Sequence, residues 1–342
     1  MKHIVFITNP ISGTISKARI PELVEAHLDH ERFSYEFVQT QYAGHATVLA
    51  QEAVERKADI VCAIGGDGTV NEVGRALVGT SSAMAILPCG SGNGLARHLM
   101  LPMDLKRCID IINKDKVERL DSGLINGHPF FCTCGMGFDA FISLKFAEAG
   151  KRGLITYVEN VLREGLSYKP ETYEIEDEMG SKHYKALLIS VANASQYGNN
   201  AYIAPQASMS DGLLDVIIMQ PFSIIEAPQV ALELLNKTLN KNMNIQSFQA
   251  RHIHIHRKQP GLIHYDGDPL MSEADVDISI NPKSISLVVN PEGSKASRQP
   301  NVMQNAASEM FYNMDRIRTQ ITKRGRSLQA VNLKLLRKLN RQ

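Results

Sequence analysis

Two runs of small residues carry the most pointed chemistry in the chain. Gly65-Gly66-Asp67-Gly68-Thr69 follows an apolar stretch, residues 60–64, and opens a helical segment with Asn71 and Glu72 in its first turn. Glycines let backbone N–H groups approach an anion closely, because no Cβ intervenes. A helix N-terminus behind them adds a partial positive charge. The arrangement suits a polyphosphate. It is not a Walker loop, since no Lys-Ser/Thr follows, and it lacks the dinucleotide G-x-G-x-x-G spacing. Asp67 inside the turn makes chemical sense beside phosphates if Mg²⁺ comes with them. The second run, Pro88-Cys89-Gly90-Ser91-Gly92-Asn93-Gly94, also joins an apolar strand to a helix. Two such turns on neighbouring parallel strands face one crevice at the carboxyl ends of a sheet.

Other stretches are chemically capable, and each also reads as an ordinary turn. Asn9-Pro10-Ile11-Ser12-Gly13 follows the first strand, residues 3–8, with Lys17 and Arg19 just beyond. Asp121 either ends the strand 117–121 as a functional carboxylate or opens the Ser122-Gly123 turn. Asp211 and Asp215, in Asp-Gly-Leu-Leu-Asp, either ligate a hard cation together or close a tight turn. Asp266-Gly267-Asp268 is a second centre of carboxylates. His252, His254 and His256 alternate and so share one strand face. With no closing ligand set, a solvated face is the simpler reading than zinc.

The pair Gly-Gly-Asp-Gly-Thr and Pro-Cys-Gly-Ser-Gly-Asn-Gly-Leu-Ala-Arg resembles the catalytic domain of diacylglycerol kinases, most closely its bacterial soluble lipid kinase branch. Sphingosine and ceramide kinases are similar, NAD kinases more distantly. Asn193, Tyr197-Gly198, Ile203-Ala204-Pro205 and the Asp211–Asp215 stretch match the family's second domain, so the resemblance spans about residues 1–290. It implies ATP and Mg²⁺ as cofactors and transfer of the γ-phosphoryl group to a lipid hydroxyl. It assigns the nucleotide to Asn9, Ser12, Gly13, Thr40, Gly65, Gly66, Asp67, Gly68, Thr69, Asn71, Glu72, Gly90, Ser91 and Asn93. It assigns the catalytic Mg²⁺ to Asp67 and Asp121, and a structural Mg²⁺ to Asp211 and Asp215. The family usually has Asp-Gly-Glu where this chain has Asp266-Gly267-Asp268, with the Glu as proton acceptor. Asp is one methylene shorter, so the base is either Asp268 or, as in sphingosine kinases, Asp67. Diacylglycerol is the expected acceptor, with a sphingoid base or ceramide as the alternative. A NAD kinase would lack the Gly-Asn-x-x-Ala-Arg string and the late acid. A lipid-binding module without catalysis has only the Glu-to-Asp change in its favour.

The elements that must hold these residues follow a simple order. Through residue 122 the pattern alternates strand and helix, the sign of a parallel sheet. Short strands follow at 173–176, 184–192, 214–219, 252–256, 261–265 and 276–280, with helices near 139–167 and 223–240. The expected fold is α/β: a doubly wound N-terminal domain, residues 1–122, completed by 284–290, and an antiparallel β-rich lipid-substrate domain over 123–283. Residues 291–308 read as a linker and 309–342 as a basic amphipathic helical tail.

The 342 residues, 44% hydrophobic and 21% charged, describe an ordinary globular protein. No apolar run is long enough to span a membrane and no leader is visible, so a cytoplasmic location is expected. Five cysteines without a zinc-like pair are expected to be reduced and buried. Residues 316–342 carry nine Lys/Arg and no Asp/Glu, which leaves −8 on the rest of a chain whose total is +1. The tail either meets an anionic membrane surface, where a lipid substrate resides, or packs on the acidic body or in a homodimer. No nucleic-acid partner is expected.

Overall fold

The computed structural model describes residues 1–10, 17–149, 168–223 and 226–292. The expected Ser12 and Gly13 contacts, most of the 291–308 linker and the 309–342 tail lie outside these residues.

Four strands open the chain, each followed by a helix: β1 (Lys2–Thr8), α1 (Ile20–His27), β2 (Phe33–Gln39), α2 (His45–Glu55), β3 (Ile60–Gly65), α3 (Asp67–Leu77), β4 (Ala83–Pro88) and α4 (Gly94–His98). All pair in parallel, in the order β2-β1-β3-β4. Every residue of β3 and β4 is buried, as expected of strands covered on both faces. The chain passes from β1 to β2 on one side and then to β3 on the other. That reversal is a topological switch point, where open α/β sheets leave a crevice at the carboxyl edge.

The helix α5 (Leu105–Lys114), capped by Asp104 through the Arg107 N–H (2.9 Å), packs behind this sheet. Then come β5 (Val117–Ile125), β6 (His128–Phe130), β7 (Thr133–Gly137), α6 (Phe138–Ala149), β8 (Glu171–Asp177), β9 (Gly180–Ala186), β10 (Leu188–Ala192) and β11 (Leu214–Met219). A helix α7 (Ala227–Leu235) precedes β12 (Ile245–Ala250), β13 (His252–Arg257), β14 (Gly261–Tyr265), β15 (Asp268–Ser272) and β16 (Asp275–Val288). Six of these strands make an antiparallel sheet in the order β12-β11-β10-β7-β14-β15. Mixed α/β architecture with a C-terminal antiparallel sheet is as the sequence predicts.

The division of strands between the sheets differs from the expectation in two places. The run 184–192 is not one strand. It breaks at Leu187, whose N–H bonds Met219 O at 2.8 Å, and its halves join different sheets. Residues 276–280 and 284–289 are conversely one strand, β16. Its register shifts between Asn281 and Ile285, with Lys283 at φ 49°. On one side of that bulge β16 runs antiparallel to β13, and on the other parallel to β4. The parallel sheet therefore continues into β13, β8 and β9, forming a ten-stranded sheet. Inward residues of this extension, such as Ile253, Ile255 and Ile278, share a core with Met136, Val191 and Ile218 of the second sheet.

All five cysteines are free and buried. His252, His254 and His256 face Asp275 and Asp277 of β16 on a solvated sheet face. Among the described residues no helix is long and apolar enough to cross a membrane.

Candidate active site

Both glycine turns end at the carboxyl edge of the parallel sheet and touch. A Cβ on Gly90 would fall 2.5 Å from Gly66 Cα, so only two glycines allow this approach. Asp67 then ties the turns together. Its Oδ2 accepts the Asn93 N–H at 2.9 Å and its Oδ1 the Gly94 N–H at 2.6 Å. Burial raises the Asp67 carboxyl above its ordinary range, opposed by those two N–H bonds and by the nearby Arg97 guanidinium. Gly92 must lack a side chain as well, since a Cβ would meet Asp67 Oδ2 at 2.6 Å.

Asn93 is buried at φ 51° and is spent on its own turn: Oδ1 accepts the Gly90 N–H (2.9 Å) and Nδ2 donates to Gly90 O (2.7 Å). Ser91 and Gly68 are exposed at the tips. The Thr69 hydroxyl is buried without a partner, held where a Cβ on Gly65 would have to be. The neighbouring strand ends join the same edge. The Asn9 N–H reaches Ile64 O (3.4 Å), and the Thr40 N–H bonds Thr8 O (2.9 Å). Lys17 Nζ donates to Asn9 O and lies near enough to Cys89 to pull its thiol downward, against burial. The structure thus gathers Asn9, Thr40, Gly65, Gly66, Asp67, Gly68, Thr69, Gly90, Ser91 and Asn93, with Lys17 and Arg97 as cations among them.

Glu72 goes elsewhere. Its carboxylate accepts the N–H groups of Gly44 (3.0 Å) and Ala46 (3.1 Å), so it caps α2. Asp121 is buried, and its carboxylate accepts the N–H groups of Lys283 (2.7 Å) and Gly212 (2.9 Å). It pins the β16 bulge to the 211–215 turn, and the described contacts give it no partner in common with the Asp67 carboxylate. In that turn Asp211 closes its own loop through the Leu213 N–H (3.1 Å). Asp215 is buried, with Oδ1 facing Gln206 and Gln249 and Oδ2 unpartnered. Burial raises its carboxyl, and Asp211 adds to the rise.

The acid-bearing turn lies along α3. Asp67, Asn71 and Arg75 stand at i, i+4 and i+8 and so share one face of that helix. Asn71 Nδ2 donates to Asp266 O at 3.2 Å, and Arg75 Nη2 to Asp268 Oδ2 at 2.7 Å. The Arg75 guanidinium also sits 4.5 Å from the centre of the Tyr265 ring, a cation–π contact. Gly74 leaves space for Phe131, whose ring a Cβ would strike at 2.6 Å. Asp266, at φ 51°, turns its carboxylate inward to the N–H groups of Phe131 (2.8 Å), Cys132 (2.7 Å) and Thr133 (3.1 Å). Burial outweighs these bonds and pushes its carboxyl up to about 6. Asp268 is the open member of the turn, with 48% of its side chain exposed. One helix therefore carries the first glycine turn at its start and the acid turn two helical turns later.

The family pattern described as "Diacylglycerol kinase catalytic domain" matches residues 3–125, and "YegS C-terminal NAD kinase beta sandwich-like domain" matches residues 133–289. The chain belongs to the diacylglycerol kinase catalytic-domain family. Among its relatives, "Diacylglycerol kinase" of Bacillus subtilis is 27% identical over 276 residues, covering 78% of this chain and 90% of the relative. "Probable lipid kinase YegS-like" of Pectobacterium atrosepticum is 28% identical over 274 residues, 78% and 87% respectively. The crystal structure of a putative diacylglycerol kinase from Bacillus anthracis matches the fold at a TM-score of 0.69 and 24% identity, over 85% of this chain and 98% of that one. As a member of this family the chain is a lipid kinase.

Arg75, Lys17 and Arg97 have no assigned role in the sequence alone, and Asp266 is named there only as part of the carboxylate centre. The signal for Arg75 was present: eight residues beyond Asp67 on one helix is the same face.

Proposed function

We propose that the protein transfers the γ-phosphoryl group of ATP to the free hydroxyl of diacylglycerol, forming phosphatidic acid. The observation that carries this reading is α3, which opens on the glycine turn and, two helical turns on, holds the exposed Asp268 carboxylate through Arg75. N–H groups in the first turn of α3, Gly68 and Thr69 among them, have no intrahelical acceptor and are available to phosphate oxygens. The exposed Ser91 adds a donor, and Lys17 and Arg97 add charge.

Among the described residues no cluster of three or more His, Cys, Asp or Glu could cage a metal. That fits a Mg²⁺ ion that arrives on the triphosphate and meets one carboxylate, Asp67. Held there, such an ion would supply charge neutralisation to the phosphates. Asp121, bonded to Gly212 and Lys283, acts at a distance from it by fixing the loops. The unpartnered Asp215 oxygen beside Asp211 suits a second, structural Mg²⁺.

Asp268 accepts the hydroxyl proton. It is exposed to an incoming lipid, whereas the Asp67 lone pairs left by its two N–H bonds are assigned to the metal. The basic segment 316–342 brings the enzyme to an anionic membrane surface. The test is parallel incubation with γ-labelled ATP and Mg²⁺ plus dispersed diacylglycerol, a sphingoid base, ceramide or NAD as acceptor. Label should enter organic-extractable phospholipid and be lost in Asp67→Ala. Label in a sphingoid or ceramide phosphate would move the acceptor, label in NADP would replace the reading, and near-normal turnover by Asp67→Ala would refute the site.

A further inference from the structure

Behind the acid turn lies a set of buried and half-buried polar groups. Tyr197 donates its hydroxyl hydrogen to Asp139 Oδ2 at 3.0 Å, and its oxygen lies 3.1 Å from Ser190 Oγ. His264 Nε2 is 3.1 Å from that same Asp139 oxygen, close enough to pair though off the hydrogen-bond direction. Asp139 and His264 are 5% and 1% exposed. The wall between them is a glycine: a Cβ on Gly135 would fall 2.6 Å from Asp139 Oδ2 and 3.1 Å from His264 Nε2. A buried carboxylate and imidazole are seldom worth more than apolar side chains of the same volume. Their presence calls for a role beyond filling space.

The two ends of the set suggest that role. At one end His264 Nδ1 faces the Gly267 N–H at 3.4 Å, inside the Asp266–Asp268 turn. A nitrogen that accepts there leaves the ring proton on Nε2, the nitrogen 3.1 Å from Asp139 Oδ2. At the other end the Tyr197 backbone abuts the second glycine turn. A Cβ on Gly94 would lie 3.2 Å from Tyr197 O, and the Asn199 N–H donates to Gly92 O at 2.8 Å. Gly198, at φ +118°, sits where a Cβ would fall 3.0 Å from Gly92 Cα. A continuous path therefore runs from the phosphate-side turn through Tyr197, Asp139 and His264 to the acid turn. It is separate from α3, which joins the same two turns through the first glycine run.

We infer that Tyr197, Asp139 and His264 are positioning residues that hold the Asp266–Asp268 turn in register with the Gly90–Gly94 turn. The catalytic consequence rests on the lipid kinase reading; the mechanical coupling does not. In register, the proton acceptor and the phosphoryl donor meet at a fixed separation. A small misplacement of one against the other costs rate while leaving the binding of each substrate intact.

The experiment uses the full chain with Asp139→Asn, Tyr197→Phe and His264→Gln. Amide hydrogen exchange is followed by mass spectrometry in peptides covering residues 262–270 and 90–96. Turnover is measured with ATP and dispersed diacylglycerol. In Asp139→Asn, exchange at the acid turn should quicken by about tenfold, and kcat should fall by about tenfold with both KM values within about twofold. Tyr197→Phe removes one hydroxyl and should show the same signature at smaller size, which keeps the test decisive if Asp139→Asn folds poorly. His264→Gln places an amide nitrogen near the position of ring Nε2 and should retain kcat within about threefold. A merely structural role predicts lower resistance to urea with turn exchange and kcat per folded molecule unchanged, and that result overturns the inference. So does a rise in KM with kcat intact. If the unmodified protein labels no lipid at all, the lipid kinase reading fails, while exchange at the two turns still decides the coupling.

Discussion

Gly68 offers a substitution in which folding and phosphate binding should move in opposite directions. It occupies the first turn of α3, its φ is not positive, and an added Cβ would meet nothing within 4 Å. Alanine there replaces a poor helix former with the best one, a gain of about 0.5–1 kcal/mol. For a chain of this size that raises Tm by about 1 °C. The open space is also where a phosphate must approach the first-turn N–H groups. A methyl group holding the phosphate off forfeits a charge-assisted hydrogen bond, about 1.5–3 kcal/mol, or roughly 10- to 150-fold in ATP affinity. Gly90→Ala is the contrasting change. Its Cβ would lie 2.5 Å from Gly66 Cα and 2.9 Å from Asn93 Oδ1, and backbone cannot step aside as a side chain can. Overpacking of this kind costs about 1–3 kcal/mol, so Tm should fall together with activity. Differential scanning calorimetry with and without MgATP, beside KM for ATP, separates the two. A Gly68→Ala protein with unchanged KM and kcat would mean that no phosphate lies on the start of α3.

Three further outcomes are expected. Arg75→Gln should leave urea stability within about 1 kcal/mol, because its partner Asp268 is half exposed, yet lower kcat by about tenfold as Asp268 loses its direction; equal loss of stability and rate would refute a positioning role. The Asp266 carboxyl is raised to about 6 from an unfolded value of about 3.9, so the stabilisation its protonated form gives is complete below about pH 4 and lost as pH rises through about 6. Urea melts at pH 5 and 7 should differ by about 1.3 kcal/mol more in the unmodified chain than in Asp266→Asn; parallel pH dependence in both proteins would count against it. Mg²⁺ without nucleotide should raise Tm of the unmodified chain and not of Asp211→Asn, and an equal rise in both would place no cation at Asp211 and Asp215.

What could be read in advance follows the range of the forces involved. The two glycine turns were legible because their cause is local: a fully apolar strand needs burial, and a tight approach needs glycine. The split at Leu187 was not, since residues 184–192 contain no breaker and the choice of sheet depends on partners far along the chain. The Asn281-Pro282-Lys283 stretch reads as a turn between strands, yet the flanking halves find β13 and β4 on opposite sides of a bulge and remain one strand. Glu72 adjoins Asn71 in sequence but sits about 100° around the helix from it, and so reaches α2 rather than the crevice.

That same periodicity sets the spacing on which the chemistry depends. From Asp67 to Arg75 the backbone of α3 rises about 12 Å, at 1.5 Å per residue. A rigid helix turns this spacing into a constant: the glycine turn marks one end and the partner of Asp268 the other. In the proposed mechanism a phosphoryl donor at the first-turn N–H groups and an acceptor at Asp268 would be held apart by this spacing. The shorter Asp268, in place of the family's usual Glu, is reached by Arg75, which grips its carboxylate at 2.7 Å and is itself braced on the Tyr265 ring. If Asp268 is the proton acceptor, as proposed, this grip would give the shorter acid a fixed direction. Asp268→Glu should therefore relieve the need for Arg75: the double variant with Arg75→Gln should turn over faster than Arg75→Gln alone, and a double variant no faster would show that the guanidinium serves something other than the aim of that acid.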